Sequence, residues 1–182
     1  MLKLGKGSVF MEKYIPDVYQ KSIYSINYNL LKEKGIKCLL FDLDNTLVPF
    51  NVKEPNDKIK ELFSELKKDF KVIIFSNSPR SRVKQFKDGL DVDSLASARK
   101  PNPKNFQKIL SMYRYNENQV AIIGDQLNTD ILGGNRVGIT TVLINPISKK
   151  DPIWTKPGRM YERRIMRKLN HHDLFFKGRY YD

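Results

Sequence analysis

Three short apolar runs, Leu39-Leu40-Phe41, Val72-Ile73-Ile74-Phe75 and Val120-Ala121-Ile122-Ile123, each break abruptly into polar residues. The first ends in Asp42-Leu43-Asp44, the second in Ser76-Asn77-Ser78, and the third in Gly124-Asp125 with Asp130 five residues on. Runs of this length that stop in polar residues are the pattern of parallel strands whose carboxyl ends converge on a ligand crevice. The polar residues that terminate them therefore belong to one site. Burying one ionised carboxylate costs several kcal/mol unless a partner neutralises it, so Asp42 and Asp44 must face a cation, a phosphate, or both.

The segments between the runs have helical periodicity. Ile59, Leu62, Phe63 and Leu66 share one face of a helix starting at Asn56 or Asp57. A short helix near 80–88 and an extended piece around Ser94 to Ala98 follow the second run. Pro103 opens a helix that turns Phe106, Ile109, Leu110 and Tyr113 inward. A helix over about 128–137 leads to a strand at 140–145. Strands alternating with helices define an α/β domain, a doubly wound, Rossmann-like parallel sheet with helices on both faces. Upstream, Ile15, Val18, Tyr19, Ile23, Ile26 and Leu30 recur at steps of three and four, which predicts an amphipathic helix that begins after Pro16-Asp17 and is closed by Gly35. The expected organisation is one domain: a helical segment at 1–36 packed on the core, the core itself at 37–148, and a basic tail at 149–182.

Charge is the unusual bulk property. The formal net charge is +13, and it is concentrated at the flanks: residues 1–37 carry 7 basic and 3 acidic side chains, and residues 149–182 carry 10 and 4. Such flanks attract anionic partners, whether lipid headgroups, RNA or an acidic protein. In the tail, Tyr161, Ile165 and Leu169 lie at four-residue spacing among Arg159, Arg163, Arg164, Arg167 and Lys168, which predicts a basic helix near 158–169. Its apolar side can pack on the domain or attach to a surface. No apolar run approaches the roughly 18–20 residues needed to span a bilayer, no signal peptide is visible, and the single cysteine, Cys38, suits a reducing compartment. A cytoplasmic protein, peripheral on the inner membrane face if the tail attaches there, is expected.

The polar set suits phosphoryl transfer to a carboxylate, which requires a cation between nucleophile and phosphate. Asp42 can attack phosphorus and form an aspartyl-phosphate. Asp44 can protonate the leaving oxygen and later take a proton from water, provided its carboxyl is protonated near neutral pH. Asp42, Asp125 and a backbone carbonyl near Asp44 are hard oxygen ligands suited to Mg²⁺. Ser76 and the N–H of Asn77 can bind phosphoryl oxygens, and Lys100, in Arg99-Lys100-Pro101, can balance the remaining charge.

Asp42-Leu43-Asp44-Asn45-Thr46, Ser76, Lys100 and Gly124-Asp125 with Asp130 resemble the four motifs of the haloacid dehalogenase superfamily of phosphatases, in the expected order. The resemblance implies Mg²⁺-dependent hydrolysis with Asp42 as nucleophile, Asp44 as acid/base, Ser76 and Lys100 on the phosphoryl group, Asp125 on the metal, and Asp130 near the metal or orienting Lys100. Cap domains in that superfamily are inserted between the first and second motifs or between the second and third. Here each gap holds about one helix, so no cap fits and a large substrate is favoured. Longer stretches, Asp42–Val48, Ala98–Pro101 and Gly124–Gly134, with the flanks from Tyr14 and from Trp154, are similar to the bacterial YqeG family and to mitochondrial phosphatidylglycerophosphate phosphatases. That likeness implies hydrolysis of phosphatidylglycerophosphate at a membrane face, and association with a ribosome-assembly GTPase.

Three functions stand on these residues: a lipid phosphatase held to an anionic surface by its basic flanks, a phosphatase acting on another large ester such as a nucleic-acid end, and a ribosome-assembly binding protein. Asn45 and Thr46 are expected to shape the turn after the first strand, Gly133 and Gly134 to permit close helix–sheet packing, Cys38 to lie in the core, and His171 and His172 to be exposed.

Overall fold

A computed structural model describes residues 11–148 and 156–182. Residues 1–10 of the expected N-terminal segment, and Trp154 at the start of the tail, lie outside them. Six strands form one all-parallel sheet: β1 (Val18–Gln20), β2 (Cys38–Phe41), β3 (Lys71–Phe75), β4 (Asp93–Leu95), β5 (Val120–Gly124) and β6 (Thr140–Ile144), in spatial order β1-β6-β5-β2-β3-β4. The order runs outward from β2 in one direction to β3 and β4 and in the other to β5 and β6. The switch point therefore lies between β2 and β5, where α/β sheets open a crevice at their carboxyl edge.

The apolar runs are continuous because both sheet faces are covered. Leu39, Phe41, Val72, Ile74, Ala121 and Ile123 point to a layer containing α1 (Tyr28–Glu33), α2 (Asp57–Asp69) and α3 (Arg80–Leu90), through Leu31, Phe63 and Phe86. Their neighbours Cys38, Leu40, Ile73, Phe75, Val120 and Ile122 point the other way, onto Phe106, Ile109 and Leu110 of α4 (Pro103–Tyr113). Successive residues facing opposite layers are the signature of period two. Each fully buried large apolar side chain contributes about 1.5–3 kcal/mol, so the strand ends that carry the polar residues are anchored by the most strongly buried part of the chain.

The helix caps agree with the chemistry of the sequence. The Asn56 side chain accepts from the Ile59 N–H at 3.0 Å, and Asn102 accepts from the Lys104 N–H at 3.0 Å with Pro103 in the first turn. Before β6, a π-turn at Leu127–Ile131 runs into α5 (Leu132–Val137). The α5 glycines are there for space: a Cβ on Gly133 would lie 2.7 Å from the Phe106 ring, and one on Gly134 2.5 Å from Thr141.

Of the helix expected between Asp17 and Gly35, only the last part forms. Val18–Gln20 is instead an edge strand beside β6, followed by a single 3₁₀ turn at Ile23–Ser25 and the short α1. Val18 and Tyr19 are both buried but face opposite layers, which no helix face allows. Asp17 secures the register: its carboxylate accepts from the Thr141 N–H at 2.8 Å and from the Thr141 hydroxyl at 2.9 Å. The outer edge of β1 is closed by Tyr181, which exchanges two backbone hydrogen bonds with Tyr19 at 2.8 and 2.9 Å.

The basic tail forms α6 (Lys156–His171), which packs Ile165 and Leu169 against Tyr19, Leu127, Ile131 and Leu143. The third member of the expected stripe, Tyr161, remains exposed. The apolar side of this helix therefore belongs to the domain, and its basic side faces outward.

Candidate active site

Asp42, Ser76 and Asp125 each directly follow the last residue of β2, β3 and β5, three adjacent strands in register, with Phe41 opposite both Ile74 and Ile123. Strand alignment alone thus gathers residues that are 83 positions apart in the chain. The segment from Val48 to Phe75 contains only α2 as a helix, and that from Asn77 to Arg99 contains α3 and β4. Neither carries a cap.

At the centre is Lys100. Its side chain is 1% exposed, and its Nζ donates to Asp42 Oδ1 at 2.7 Å and to Asp130 Oδ1 at 2.6 Å. Burial pulls the ammonium toward its neutral form, but the Asp130 and Asp42 carboxylates outweigh it and hold its pKa above the usual lysine value. Lys100 is placed by a reciprocal pair in which its N–H donates to Asn77 Oδ1 at 2.7 Å and its carbonyl accepts from Asn77 Nδ2 at 3.1 Å. The side chain of Asn77 thus positions Lys100, a role the sequence did not reveal. Ser76 Oγ accepts from the Ser78 N–H at 3.2 Å, which leaves the hydroxyl proton to donate.

Asp42, Asp125 and Asp130 are buried, and carboxylate oxygens of all three lie within 4.8 Å of one another. Burial drives the Asp125 carboxyl up to about 8; Arg159 opposes this, while Asp42 and Asp130 add to it. Asp130 is pushed up to about 6, again first by burial, with Lys100 opposing and Asp42 reinforcing. Three buried carboxylates crowded against two protein cations are short of positive charge, and a hard divalent ion fits that oxygen set. The Asp44 side chain stands apart from the trio. It is 26% exposed, one oxygen accepts from Arg82 Nη2 at 2.9 Å and Nε at 3.2 Å, and the other accepts from the Ser78 hydroxyl.

Four site residues were not legible as such. Arg82, on α3, ties Asp44 to the carbonyl of Val52. Ser78 holds the other oxygen of Asp44. Thr46 Oγ1 lies 3.4 Å from Asp125 Oδ1, so the turn residue also reaches the site. Arg159 was counted in the basic tail, but its Nη2 sits 2.5 Å from Asp125 Oδ2 and its Nη1 3.0 Å from Glu162 Oε2. Glu162 in turn accepts from the Leu127 N–H at 2.7 Å. The i,i+3 spacing of Arg159 and Glu162 was the one available signal of a paired feature on that helix. Gly124 is required by closeness: a Cβ there would lie 2.2 Å from Asp130 Cγ. As expected, Cys38 is fully buried and both His171 and His172 are exposed.

An uncapped parallel sheet with this carboxylate–lysine set at its carboxyl edge defines a phosphatase of the haloacid dehalogenase-like class. The model of the family described as mitochondrial PGP phosphatase matches residues 9–148. "Probable phosphatase YqeG" of Bacillus subtilis is 38% identical over 157 residues, covering 86% of this chain and 91% of the relative. The chain belongs to the mitochondrial PGP phosphatase family and is related to YqeG-type phosphatases. The Arabidopsis thaliana phosphatidylglycerophosphate phosphatase 1, chloroplastic/mitochondrial, is 25% identical over 170 residues; the match covers 85% of this chain and 47% of the plant protein, about half its length. In fold, a Porphyromonas gingivalis structure described as a predicted HAD-like family hydrolase superposes with a TM-score of 0.50 at 14% identity, covering 69% of this chain and 98% of that one.

Proposed function

We propose that this phosphatase removes the terminal phosphate of phosphatidylglycerophosphate at an anionic membrane surface, through an aspartyl-phosphate on Asp42 and with Mg²⁺ as its metal. The observation that carries the chemistry is the buried Lys100 held between Asp42 and Asp130, with Asp125 alongside. The lipid assignment rests on the family and on the absence of a cap in either gap between motifs.

Lys100 takes one oxygen of Asp42, and the other has no hydrogen-bond partner among the described residues, so it is the oxygen positioned to attack phosphorus. As the Asp42 oxygen–phosphorus bond forms, the bond to the glycerol oxygen breaks, and Asp44 delivers a proton to that oxygen. Asp44 is the more exposed of the two carboxylates, at 26% against 11%, so it can exchange protons with solvent while Asp42 stays dry. In the second half, Asp44 takes a proton from water, the water oxygen attacks phosphorus, and the acyl-phosphate bond breaks to restore Asp42. The Ser76 hydroxyl and the Asn77 N–H bind the phosphoryl oxygens, and Lys100 offsets the charge that builds on them. Asp42, Asp125 and a backbone carbonyl near Asp44 would hold a Mg²⁺ ion, with Asp130 supporting, and the bound ion would supply the positive charge that offsets repulsion between Asp42 and the phosphate.

The outer face of α6 supports a surface-bound enzyme. Arg164 and Lys168 are exposed there, beside Met160 and Tyr161, which are 69% and 49% exposed. Each basic residue close to an anionic bilayer is worth about 1 kcal/mol. Among the described residues no helix is long and apolar enough to cross a membrane.

The test is Mg²⁺-dependent phosphate release from phosphatidylglycerophosphate vesicles, with Asp42→Asn as control. Release that is chelator-sensitive and absent in the variant is expected. Hydrolysis of an aryl phosphate without release from the vesicles would remove the lipid assignment and keep the phosphatase.

A further inference from the structure

A cleft of about 810 Å³ runs along α6 and reaches the site at Asp125, which lies in its wall. Asp125 lines it together with its partner Arg159, and Arg163, Arg167 and Lys177 also stand on its wall. Leu143, Met166 and Phe175 supply apolar surface between them. The one carboxylate on that helix wall, Glu162, is already matched by Arg159 and the Leu127 N–H. Arg163, Arg167 and Lys177 have no carboxylate partner among the described residues. Cations lining a concave surface, unmatched by protein anions and continuous with a phosphate-processing centre, are complementary to a second negative group on the same substrate.

From this charge distribution we propose that Arg163 and Arg167 form a subsite for a phosphodiester that lies one glycerol unit from the phosphate being removed. The inference rests on the substrate reading above and deepens it, because phosphatidylglycerophosphate carries both groups on one three-carbon bridge. Arg159, Arg163 and Arg167 are spaced i, i+4, i+8 and share a face, each step advancing about 6 Å along the helix. Arg159 is committed to Asp125 and Glu162 at the site itself, so Arg163 is the first cation one step out and Arg167 the second. Planar guanidinium groups accept a phosphodiester through paired N–H donors, whereas the apolar floor suits the glycerol and acyl ester carbons beyond it. Specificity in an uncapped enzyme is then built into the C-terminal helix, which does part of the work of the missing cap.

The experiment uses the full chain and the double variant Arg163→Gln/Arg167→Gln, both exposed positions. The substrates are deacylated phosphatidylglycerophosphate, which is water-soluble and independent of any membrane, and an aryl phosphate without a second phosphate. The ratio of kcat/KM for the first over the second should fall about 20-fold in the double variant and about fivefold in each single one, mostly through KM, on the scale of exposed charge pairs. Arg163→Lys should recover part of the ratio. A second arm measures inhibition of aryl phosphate hydrolysis by glycerophosphoglycerol, a diester with no phosphate to lose. Inhibition of the wild type that disappears in the double variant supports the subsite even if phosphatidylglycerophosphate is not hydrolysed, in which case only the lipid assignment falls. An unchanged substrate ratio together with equal inhibition of wild type and variant overturns the subsite while leaving the lipid phosphatase intact.

Discussion

Replacing Lys100 by Met tests the electrostatic logic of the site. The substitution keeps the length of the side chain and removes its charge, leaving Asp42 and Asp130 without the ammonium that now lies 2.7 and 2.6 Å from them in a position 1% exposed. Removing one partner of a buried ion pair costs about 3–5 kcal/mol, because the remaining charge cannot return to water. For a domain of this size, each kcal/mol moves Tm by about 2–4 °C, so a loss of about 6–20 °C is expected at pH 8 in the presence of a chelator. The loss must depend on pH. Asp130 is already raised to about 6 with Lys100 beside it, and without Lys100 it rises further above its unfolded value. The folded variant then binds more protons than the unfolded chain across that interval, so stability falls as pH increases through it. Measured against the wild type by thermal and urea unfolding, the deficit should shrink to about 1–2 kcal/mol at pH 5, where the carboxyls can protonate. Adding Asp130→Asn to Lys100→Met should restore about 1–3 kcal/mol at pH 8, since it removes one of the stranded charges. A deficit below about 1 kcal/mol at pH 8, or one equal at pH 5 and pH 8, would refute the assignment of Lys100 as the charge that balances this centre.

Two further outcomes follow from the same geometry. In Gly124→Ala the new Cβ meets Asp130 at 2.2 Å, and overpacking of this kind costs about 1–3 kcal/mol; Tm should fall, and aryl phosphate hydrolysis should drop at least about tenfold because Asp130 no longer orients Lys100. In chelator, wild-type Tm should decline between pH 5 and pH 8, since Asp125 and Asp130 have folded values of about 8 and 6, both above the usual carboxylate range, and stability is lost as they are forced to ionise. Mg²⁺ at a hundredfold excess over its Kd at pH 8 should add about 3 kcal/mol there and less at pH 6, which flattens that decline; scanning fluorimetry across pH with and without the ion measures both.

The legible parts of the fold were those in which one residue's environment is imposed on its sequence neighbours. Strands β2, β3 and β5 are covered on both faces, so beyond the half-buried Lys71 that opens β3 no polar side chain occurs in them, and the first polar residue after each run marks the edge. That rule located Asp42, Ser76 and Asp125. The same local patterning failed at Val18–Gln20, where three residues are too few for a period of two to show above the helical spacing around them. What makes them a strand is pairing with Val142–Ile144 of β6 on one side and with Tyr181 on the other, 124 and 162 positions distant.

The site divides along the same line. By itself the sequence determined which side chains stand at the strand ends, and thereby the class of chemistry, because burial dictates composition residue by residue. Only the tertiary structure decided how those charges are balanced. Lys100 reaches Asp42 across 58 residues, Arg82 reaches Asp44 across 38, and Arg159 reaches Asp125 across 34. Lys100 was expected to balance the charge here, but nothing in the local sequence signals the Arg82 and Arg159 pairs, since a cation on a helix has the same spacing whether it faces solvent or a carboxylate. Coulomb attraction in a dry site depends on distance in space, and that distance is set by the packing of α3 and α6 on the sheet.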